Sequence, residues 1–164
     1  MRRLLALALL LLVSACYQVD GDVVPLSSSV RVEGVRDGLY RRPDGVEVRV
    51  HWNEADKVYD VVAPGSEQGR GGTARAQRVA SGLYLVQYMD VTRLALLARM
   101  DGSDMVLMAP NKDAEPRLLK AHGLGLKPGP INGLLGSGGM ARNFFKDLAA
   151  SGDFAEGGRM TFVK

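Results

Sequence analysis

Apolar and polar residues alternate along the middle of the chain, and this alternation predicts β-strands. Val48, Val50 and Trp52 alternate with Arg49 and His51, so a strand there has one apolar and one polar face. The preceding Pro-Asp-Gly triplet is typical of a turn. Further strands are expected at Lys57–Ala63, Leu83–Met89, Thr92–Met100 and Met105–Ala109. The spacing within Thr92–Met100 also fits a helix, but the turns on either side favour a strand. Together these strands predict a mainly β fold built from antiparallel meanders.

Two segments of this β region are similar to each other at a spacing of 44 residues. Val35–Tyr40 matches Val79–Tyr84, and the two sets end in Ala-Pro at Pro64 and Pro110. Each set has the length of a three-stranded meander, which is too small to be stable alone. Two copies that share a core favour a small sandwich or barrel. Coincidence in a valine-rich β protein is the alternative to a duplication.

Two glycine-rich stretches interrupt the strands. Gly65–Thr73 is expected to form a mobile loop between the two meanders. Residues 111–139 predict a long irregular excursion, which contains a short helix over Arg117–His122 that Gly123 ends.

The C-terminal region predicts one helix followed by a strand. Met140, Phe144 and Leu148 recur at helical spacing, with Ser137 placed to cap the helix and Gly152 to end it. The helix is expected to cover one face of the sheet or to plug one end of a barrel. A last strand that returns to the sheet is expected at Arg159–Lys164.

The first fifteen residues have a different character from the rest of the chain. They contain twelve apolar residues and two arginines, and no acidic residue. The apolar run Leu4–Val13 would reach about 15 Å as a helix, half of a bilayer core of about 30 Å. A charged start and a short apolar middle are typical of a secretion signal, so residues 1–15 are predicted to be a signal peptide.

The residues that follow this run, Val13-Ser14-Ala15-Cys16, resemble the lipobox of bacterial lipoproteins. The resemblance implies cleavage between Ala15 and Cys16, diacylglycerol on the Cys16 thiol and acylation of the new amino terminus. Two or three acyl chains hold a protein stably on a membrane. In enteric lipoproteins an aspartate after the cysteine favours the inner membrane, and the residue here is Tyr17. The resemblance therefore favours the outer membrane, with the protein facing the periplasm.

An ordinary secreted protein with a cysteine at its cleavage site is the alternative, but the chain has one cysteine and it falls at this place. Residues 16–30 are predicted to be the lipidated cysteine and a flexible tether, because they include glycine, proline and three serines. The alternative is a first edge strand containing Val23, Val24 and Leu26. Residues 31–164 are predicted to be a single β-rich domain.

The numbers of acidic and basic residues limit the classes of partner that can be expected. Without residues 1–15 the chain has 19 basic and 18 acidic residues, so charge gives no reason to expect nucleic acid. A single cysteine excludes an intramolecular disulfide and a cysteine-rich metal site. Four arginines near the first hairpin form a basic cluster that protects a sheet edge or touches lipid headgroups: Arg36, Arg41, Arg42 and Arg49.

The chain offers few groups for catalysis. Its histidines, His51 and His122, are expected on a polar strand face and at a helix end. No HExxH spacing occurs, and the glycines around Ser137 lack the strand and spacing of a nucleophile elbow. No metal and no cofactor are predicted. The chain is therefore expected not to be an enzyme.

Tyr84 and Tyr88 lie on one side of their strand, opposite Leu85, so they line the outer face if Leu85 faces the core, and they are the candidate surface for an apolar ligand or a partner. Ordinary packing against the helix or a loop is the alternative. The expected role is a lipid-anchored accessory protein that binds another envelope protein. The alternative is a carrier of small apolar ligands, with a pocket inside a β-barrel. A carrier requires a cavity of a few hundred Å³.

Overall fold

The computed structural model describes residues 15–63 and 71–164. The predicted signal segment as far as Ser14 and the stretch Pro64–Arg70 of the predicted loop lie outside these residues. The described chain has a short 3₁₀ turn at Leu26–Ser28 and two helices, α1 (Ala114–Ala121) and α2 (Gly138–Ser151). Its strands are β1 (Tyr17–Gln18), β2 (Gly38–Arg41), β3 (Glu47–Asn53), β4 (Val58–Val62), β5 (Gly72–Ala80), β6 (Leu83–Met89), β7 (Arg93–Asp101), β8 (Asp104–Pro110), β9 (Gly125–Lys127), β10 (Asn132–Leu135) and β11 (Phe154–Phe162).

Eight strands close into an antiparallel barrel. Strands β2 to β8 pair in chain order, and β11 pairs with β8 on one side and with β2 on the other. Thr161 stands opposite Arg41 where the last strand meets the first. Closure pairs every barrel strand on both sides. The predicted mainly β fold, with antiparallel meanders in a small barrel, one C-terminal helix and a final strand, is confirmed.

The two predicted meanders supply six of the eight barrel strands, β2–β4 and β6–β8. The other two are β5, which was not predicted, and β11. Gly72 and Thr73 begin β5 and do not belong to a mobile loop. The sequence of β5 is poor in β-branched and aromatic residues, and the strand forms because β4 and β6 pair with it on either side. The origin of the two meanders by duplication stays a prediction.

The helices cover the outer face of β6, β7 and β8. Leu85, Leu97 and Val106 are fully buried there, in one cluster with Phe144 and Phe145 of α2. The barrel wall is therefore apolar on both of its faces in this region. An inner set of side chains faces the lumen, and an outer set packs under the helices.

Helix α2 has the predicted limits. The Ser137 hydroxyl accepts a hydrogen bond from the backbone N–H of Met140 at 3.2 Å. Gly152 ends the helix with φ of +72°, a conformation that glycine adopts without steric cost. Gly136 thus belongs to the connector before the helix, and Ser137 provides the cap.

Residues 111–139 are not the irregular excursion that was predicted. They contain α1, β9 and β10, and α1 begins at Ala114, three residues before the predicted start. Strand β10 pairs with β9 and with β1, and β1 pairs with the first residues of β7. Leu118 and Leu119 of α1 join the apolar cluster outside the barrel. Glycine and proline lie in the turns between these short elements.

The segment after Cys16 is not a tether, and Val23, Val24 and Leu26 do not form an edge strand. Val23 and Val24 are fully buried between the barrel wall and α2. The Gln87 side-chain oxygen accepts hydrogen bonds from both of their N–H groups at 2.9 Å, and Arg142 of α2 donates to the Val23 carbonyl at 2.7 Å. Partners distant in sequence satisfy this backbone, so its local composition does not reveal its fixed path. The predicted tether is part of the folded domain.

Candidate ligand cavity in the barrel

The barrel interior contains an apolar cavity of about 410 Å³. Inward-facing side chains of the strands form its wall, in alternation with the outward-facing set. Ala74, Ala76 and Ala98 contribute small side chains to this wall, and Ala98 also packs against Ala15. Larger aliphatic side chains complete the wall, among them Val48, Val50, Val61, Val86, Leu96 and Leu107.

The segment before β2 closes one end of the barrel. Val32 and Val35 line that end of the cavity. The Val32 N–H donates to the Tyr59 hydroxyl at 2.7 Å, and the Arg36 N–H donates to the Tyr40 hydroxyl at 3.0 Å. Burial raises the pKa of Tyr59 to about 12 and also raises the pKa of Tyr40. Both hydroxyls are therefore neutral at physiological pH and hold the closing segment by its backbone.

The opposite end of the barrel is the mouth of the cavity. Strand β4 runs towards this end, β6 ends there and β7 begins there, which places Ala63, Tyr88 and Leu94 at the rim. Arg42, just after β2, is the only charged side chain among the described residues that line the cavity. The cavity is thus apolar along its length, closed at one end and bordered by a cation at the other.

Cys16, the predicted site of lipidation, lies at the mouth and lines the cavity. Ala15 on the predicted cleavage bond is buried inside the barrel against the inward-facing Ala98 and Leu107, whereas Tyr17 pairs with β7 on the outer side of the wall. The chain therefore crosses the rim at Cys16. Burial raises the pKa of the Cys16 thiol to about 11, and the Arg42 guanidinium offsets part of this effect. Such a thiol is protonated at neutral pH and is a poor nucleophile.

Tyr17, the residue after Cys16, attaches the chain to the two helices. Its ring packs edge-on against Phe144 and Phe145, with centroid distances of 5.8 and 5.9 Å. Its hydroxyl donates a hydrogen bond to the Glu115 carboxylate. Burial and this hydrogen bond raise the pKa of Tyr17. Cys16 is thus held beside the mouth, with no flexible chain between it and the domain.

Tyr84 and Tyr88, the predicted ligand or partner surface, point into the barrel and not to its outer face. The expectation of an outer position is wrong because the helices bury the Leu85 side of β6 as well. Tyr88 lines the cavity near the mouth, and its hydroxyl donates to Asp90 at 3.4 Å. Tyr84 lies at the closed end, where its hydroxyl accepts from the Glu33 N–H at 3.4 Å.

The two histidines lie outside the cavity wall. His51 Nδ1 is 3.0 Å from an Asp37 carboxylate oxygen, and His122 Nε2 is 2.8 Å from Asp147. The first pair joins β3 to the closing segment, and the second joins the end of α1 to α2. Within residues 15–63 and 71–164 no group of three or more His, Cys, Asp or Glu side chains is placed to hold a metal ion.

The fold separates the arginines of the predicted basic cluster. Arg41 pairs with Glu47 at 2.7 Å on the barrel surface, and Arg36 packs over the Phe162 ring at 5.6 Å. Arg49 faces solvent, and Arg42 reaches the cavity. Protection of a sheet edge is a wrong interpretation, because β2 and β3 are paired on both sides.

Sequence reasoning missed the central part of the cavity wall. Ala74 and Ala76 of β5 alternate with Arg75 and Gln77, and this small-polar alternation is the signal that identifies an inward face. Charge alone groups Arg42 with its arginine neighbours, but its separation from Tyr40 by two residues places both on the inner face.

Comparison with known proteins adds no relative: no protein-family model, curated protein or solved structure matches this chain. In the part of the chain that the structure describes, no helix has the length and apolar character to cross a membrane.

Proposed function

We propose that this protein is a non-catalytic, lipid-anchored protein of the bacterial cell envelope, whose barrel binds the apolar chain of a small molecule. The observation that carries the proposal is the cavity of about 410 Å³, apolar and open at one end. Ligand sites in proteins have volumes of about 300–1,000 Å³ and mostly apolar walls. A blind barrel interior favours one chain inserted along the barrel axis.

Burial of the chain supplies the binding energy. Each methylene group removed from water contributes about 0.8 kcal/mol. A chain with about ten buried methylenes gains about 8 kcal/mol, from which the loss of translational and conformational freedom is subtracted. This balance favours reversible binding, as a carrier requires.

The proposed anchor is the lipid on Cys16, and its support is the lipobox resemblance. In the folded chain Ala15 is buried and the Cys16 thiol has a raised pKa. Neither the cleavage bond nor a reactive thiolate is then available to an enzyme. We therefore expect lipid transfer and cleavage to precede closure of the barrel around this segment.

The position of Cys16 implies an orientation on the membrane. Because Tyr17 is fixed in the domain, acyl chains on Cys16 would start at the rim of the barrel. The mouth would then face the bilayer, and a ligand would enter the cavity from the membrane. We favour the outer membrane, with the domain in the periplasm.

The cavity is tested by filling it. Ala98→Phe places a ring in the lumen, and Ala150→Phe places the same ring on the exposed face of α2 as a control. Each membrane-reconstituted protein is incubated with a photoreactive 16-carbon probe, and adducts are counted by mass spectrometry. We expect Ala98→Phe to lose at least about tenfold in labelling while circular dichroism stays unchanged. Equal labelling of the two variants would exclude the barrel interior as the binding site.

The anchor is tested separately by metabolic labelling with a palmitate analogue. The wild-type protein is expected to take up the label and Cys16→Ala to lose it. Label on Cys16→Ala would contradict the proposed lipidation site, whatever the result for the cavity.

A second candidate function, binding of another envelope protein, is favoured by one observation. Strand β9 is the outermost strand of the sheet and pairs with β10 alone among the described residues. Edge strands present free backbone groups to which a partner strand can add. Leu135, on β10, is 49% exposed. A photoreactive residue at Leu135 is expected to yield a discrete adduct in the native envelope, and the absence of any adduct would reject this candidate.

A further inference from the structure

We infer that the cavity selects a single-chain amphiphile with an anionic headgroup, and that Arg42 at the mouth binds this headgroup. The inference rests on the proposed binding of an apolar chain in the barrel. Among the described residues that line the cavity, Arg42 alone carries a charge. A ligand that matches a blind apolar cavity with a cation at its opening has an acyl chain with a carboxylate or phosphate at one end.

The hairpin between β2 and β3 fixes the backbone of Arg42. Its N–H donates to the Val46 carbonyl at 2.8 Å, and its carbonyl accepts from the Gly45 N–H at 2.9 Å. The inward-facing Tyr40, two residues earlier and near the end of β2, is fully buried inside the barrel. The direction in which Arg42 leaves the strand is therefore determined by the barrel and not by a mobile loop.

Asp44 supports the guanidinium from the side of the turn. Arg42 Nη2 donates to Asp44 Oδ2 at 2.7 Å, and Asp44 Oδ1 accepts from the Val46 N–H at 3.2 Å. Asp44 does not line the cavity, whereas Arg42 does. A guanidinium has five N–H donors, so one bond to Asp44 leaves donors for a ligand. Arginine binds carboxylates and phosphates through two parallel hydrogen bonds.

The charge of Arg42 acts on the mouth itself. Arg42 and Cys16 both line the cavity, and the field of Arg42 lowers the pKa of the Cys16 thiol against the larger effect of burial. The Arg42 side chain is 39% exposed. A headgroup there keeps part of its hydration and still gains a charge-assisted pair. A neutral ester or alcohol of the same length gains no such pair.

The test uses the mature, lipidated protein in phospholipid nanodiscs. The probe is palmitate with a diazirine near its methyl end and an alkyne for detection, and adducts are mapped to barrel peptides. Competitors of equal chain length are palmitate, methyl palmitate and palmitoyl lysophosphatidic acid. Palmitate and the lysophospholipid distinguish a carboxylate source of the charge from a phosphate source. The variants are Arg42→Gln, Arg42→Lys and, as the matched control for the ion pair, Asp44→Asn.

We expect palmitate or the lysophospholipid to compete at least about tenfold better than methyl palmitate, and Arg42→Gln to abolish this preference. Arg42→Lys should restore part of it, since the charge is kept. Asp44→Asn should keep it or increase it, because Arg42 remains and its competing carboxylate is neutralised. These results separate a headgroup contact from a merely structural role of the hairpin.

Two sets of results would overturn the inference in distinguishable ways. If the methyl ester competes as well as the acid, the cavity binds chains but Arg42 does not bind the headgroup. The same conclusion follows if Asp44→Asn loses the preference for charged competitors as completely as Arg42→Gln. If no probe labels barrel peptides in the wild-type protein, for instance because a chain of the Cys16 lipid fills the lumen, the proposed function fails and the inference fails with it.

Discussion

Gln87 on β6 holds Val23, which lies 64 residues earlier in the chain, by a hydrogen bond of 2.9 Å from the Val23 N–H to the Gln87 side-chain oxygen. The same oxygen accepts from Val24, and the Gln87 amide nitrogen donates to the Gly21 carbonyl at 2.9 Å. Gln87 is fully buried. One side-chain amide thus replaces the strand neighbour that this segment lacks and ties it to the barrel wall.

We expect Gln87→Ala to lower the free energy of unfolding by about 2–4 kcal/mol, because it leaves buried backbone groups without partners. Urea denaturation followed by circular dichroism measures this loss. Gln18→Ala, on an exposed position of β1, is the matched control, and we expect it to change stability by less than about 0.5 kcal/mol. Similar losses for the two variants would contradict the role assigned to Gln87.

Alkaline pH should weaken the closed end of the barrel through Tyr59. Its pKa is raised from 10.0 to about 12, so the folded protein keeps a proton that the unfolded chain releases. The stabilisation is fully present below about pH 10 and is lost as pH rises towards 12. Tyr59→Phe should therefore show a shallower fall in unfolding free energy between pH 9 and 11.5, measured by urea titrations. An unchanged slope would refute this assignment.

The folded precursor should protect the Cys16 thiol. A rise of its pKa from 9.0 to about 11 lowers the thiolate fraction at pH 8 by about 100-fold. The thiolate of a thiol with a higher pKa is more nucleophilic, and this recovers about tenfold of the lost reaction rate. Alkylation by iodoacetamide is thus expected to be at least about tenfold slower in the native precursor than in urea. The precursor is purified from cells in which lipid transfer is blocked. Equal rates would show that Cys16 is open in the folded chain.

Tryptophan fluorescence can test the proposed orientation. Trp52, the one tryptophan of the chain, lies at the closed end, whereas Val91 lies beside the mouth and is 99% exposed. In vesicles of brominated phospholipid, the extra emission of Val91→Trp should be quenched. Emission from Trp52 should not be quenched. The extra emission of Ser103→Trp, in the turn at the closed end, should not be quenched either. Stronger quenching at position 103 than at 91 would reverse the orientation.

Local signals predicted most strands and both ends of α2. The alternation around Val50 identifies a strand with one buried face, and Ser137 with Gly152 marks a capped helix. These signals are short-range, because side-chain periodicity and capping involve residues within one or two turns or along one strand.

Other elements could not be predicted because their stabilising partners are distant in sequence. Strand β5 lacks strand-favouring residues and exists because two neighbours pair with it. The segment around Val23 has the composition of a tether and is fixed by Gln87 and Arg142. The inward position of Tyr88 could not be predicted, because alternation within one strand does not tell which face turns towards a closed lumen.

The sequence by itself determined the β class, the meanders, the terminal helix and the lipobox resemblance, since each depends on local periodicity or on a contiguous motif. Only the tertiary structure decided that the sheet closes, that the alanines of β5 leave a cavity, and that Arg42 and Cys16 meet at its mouth. The physical reason is that closure and cavity volume depend on pairing between strands far apart in the chain, and on how small side chains from several strands share one interior.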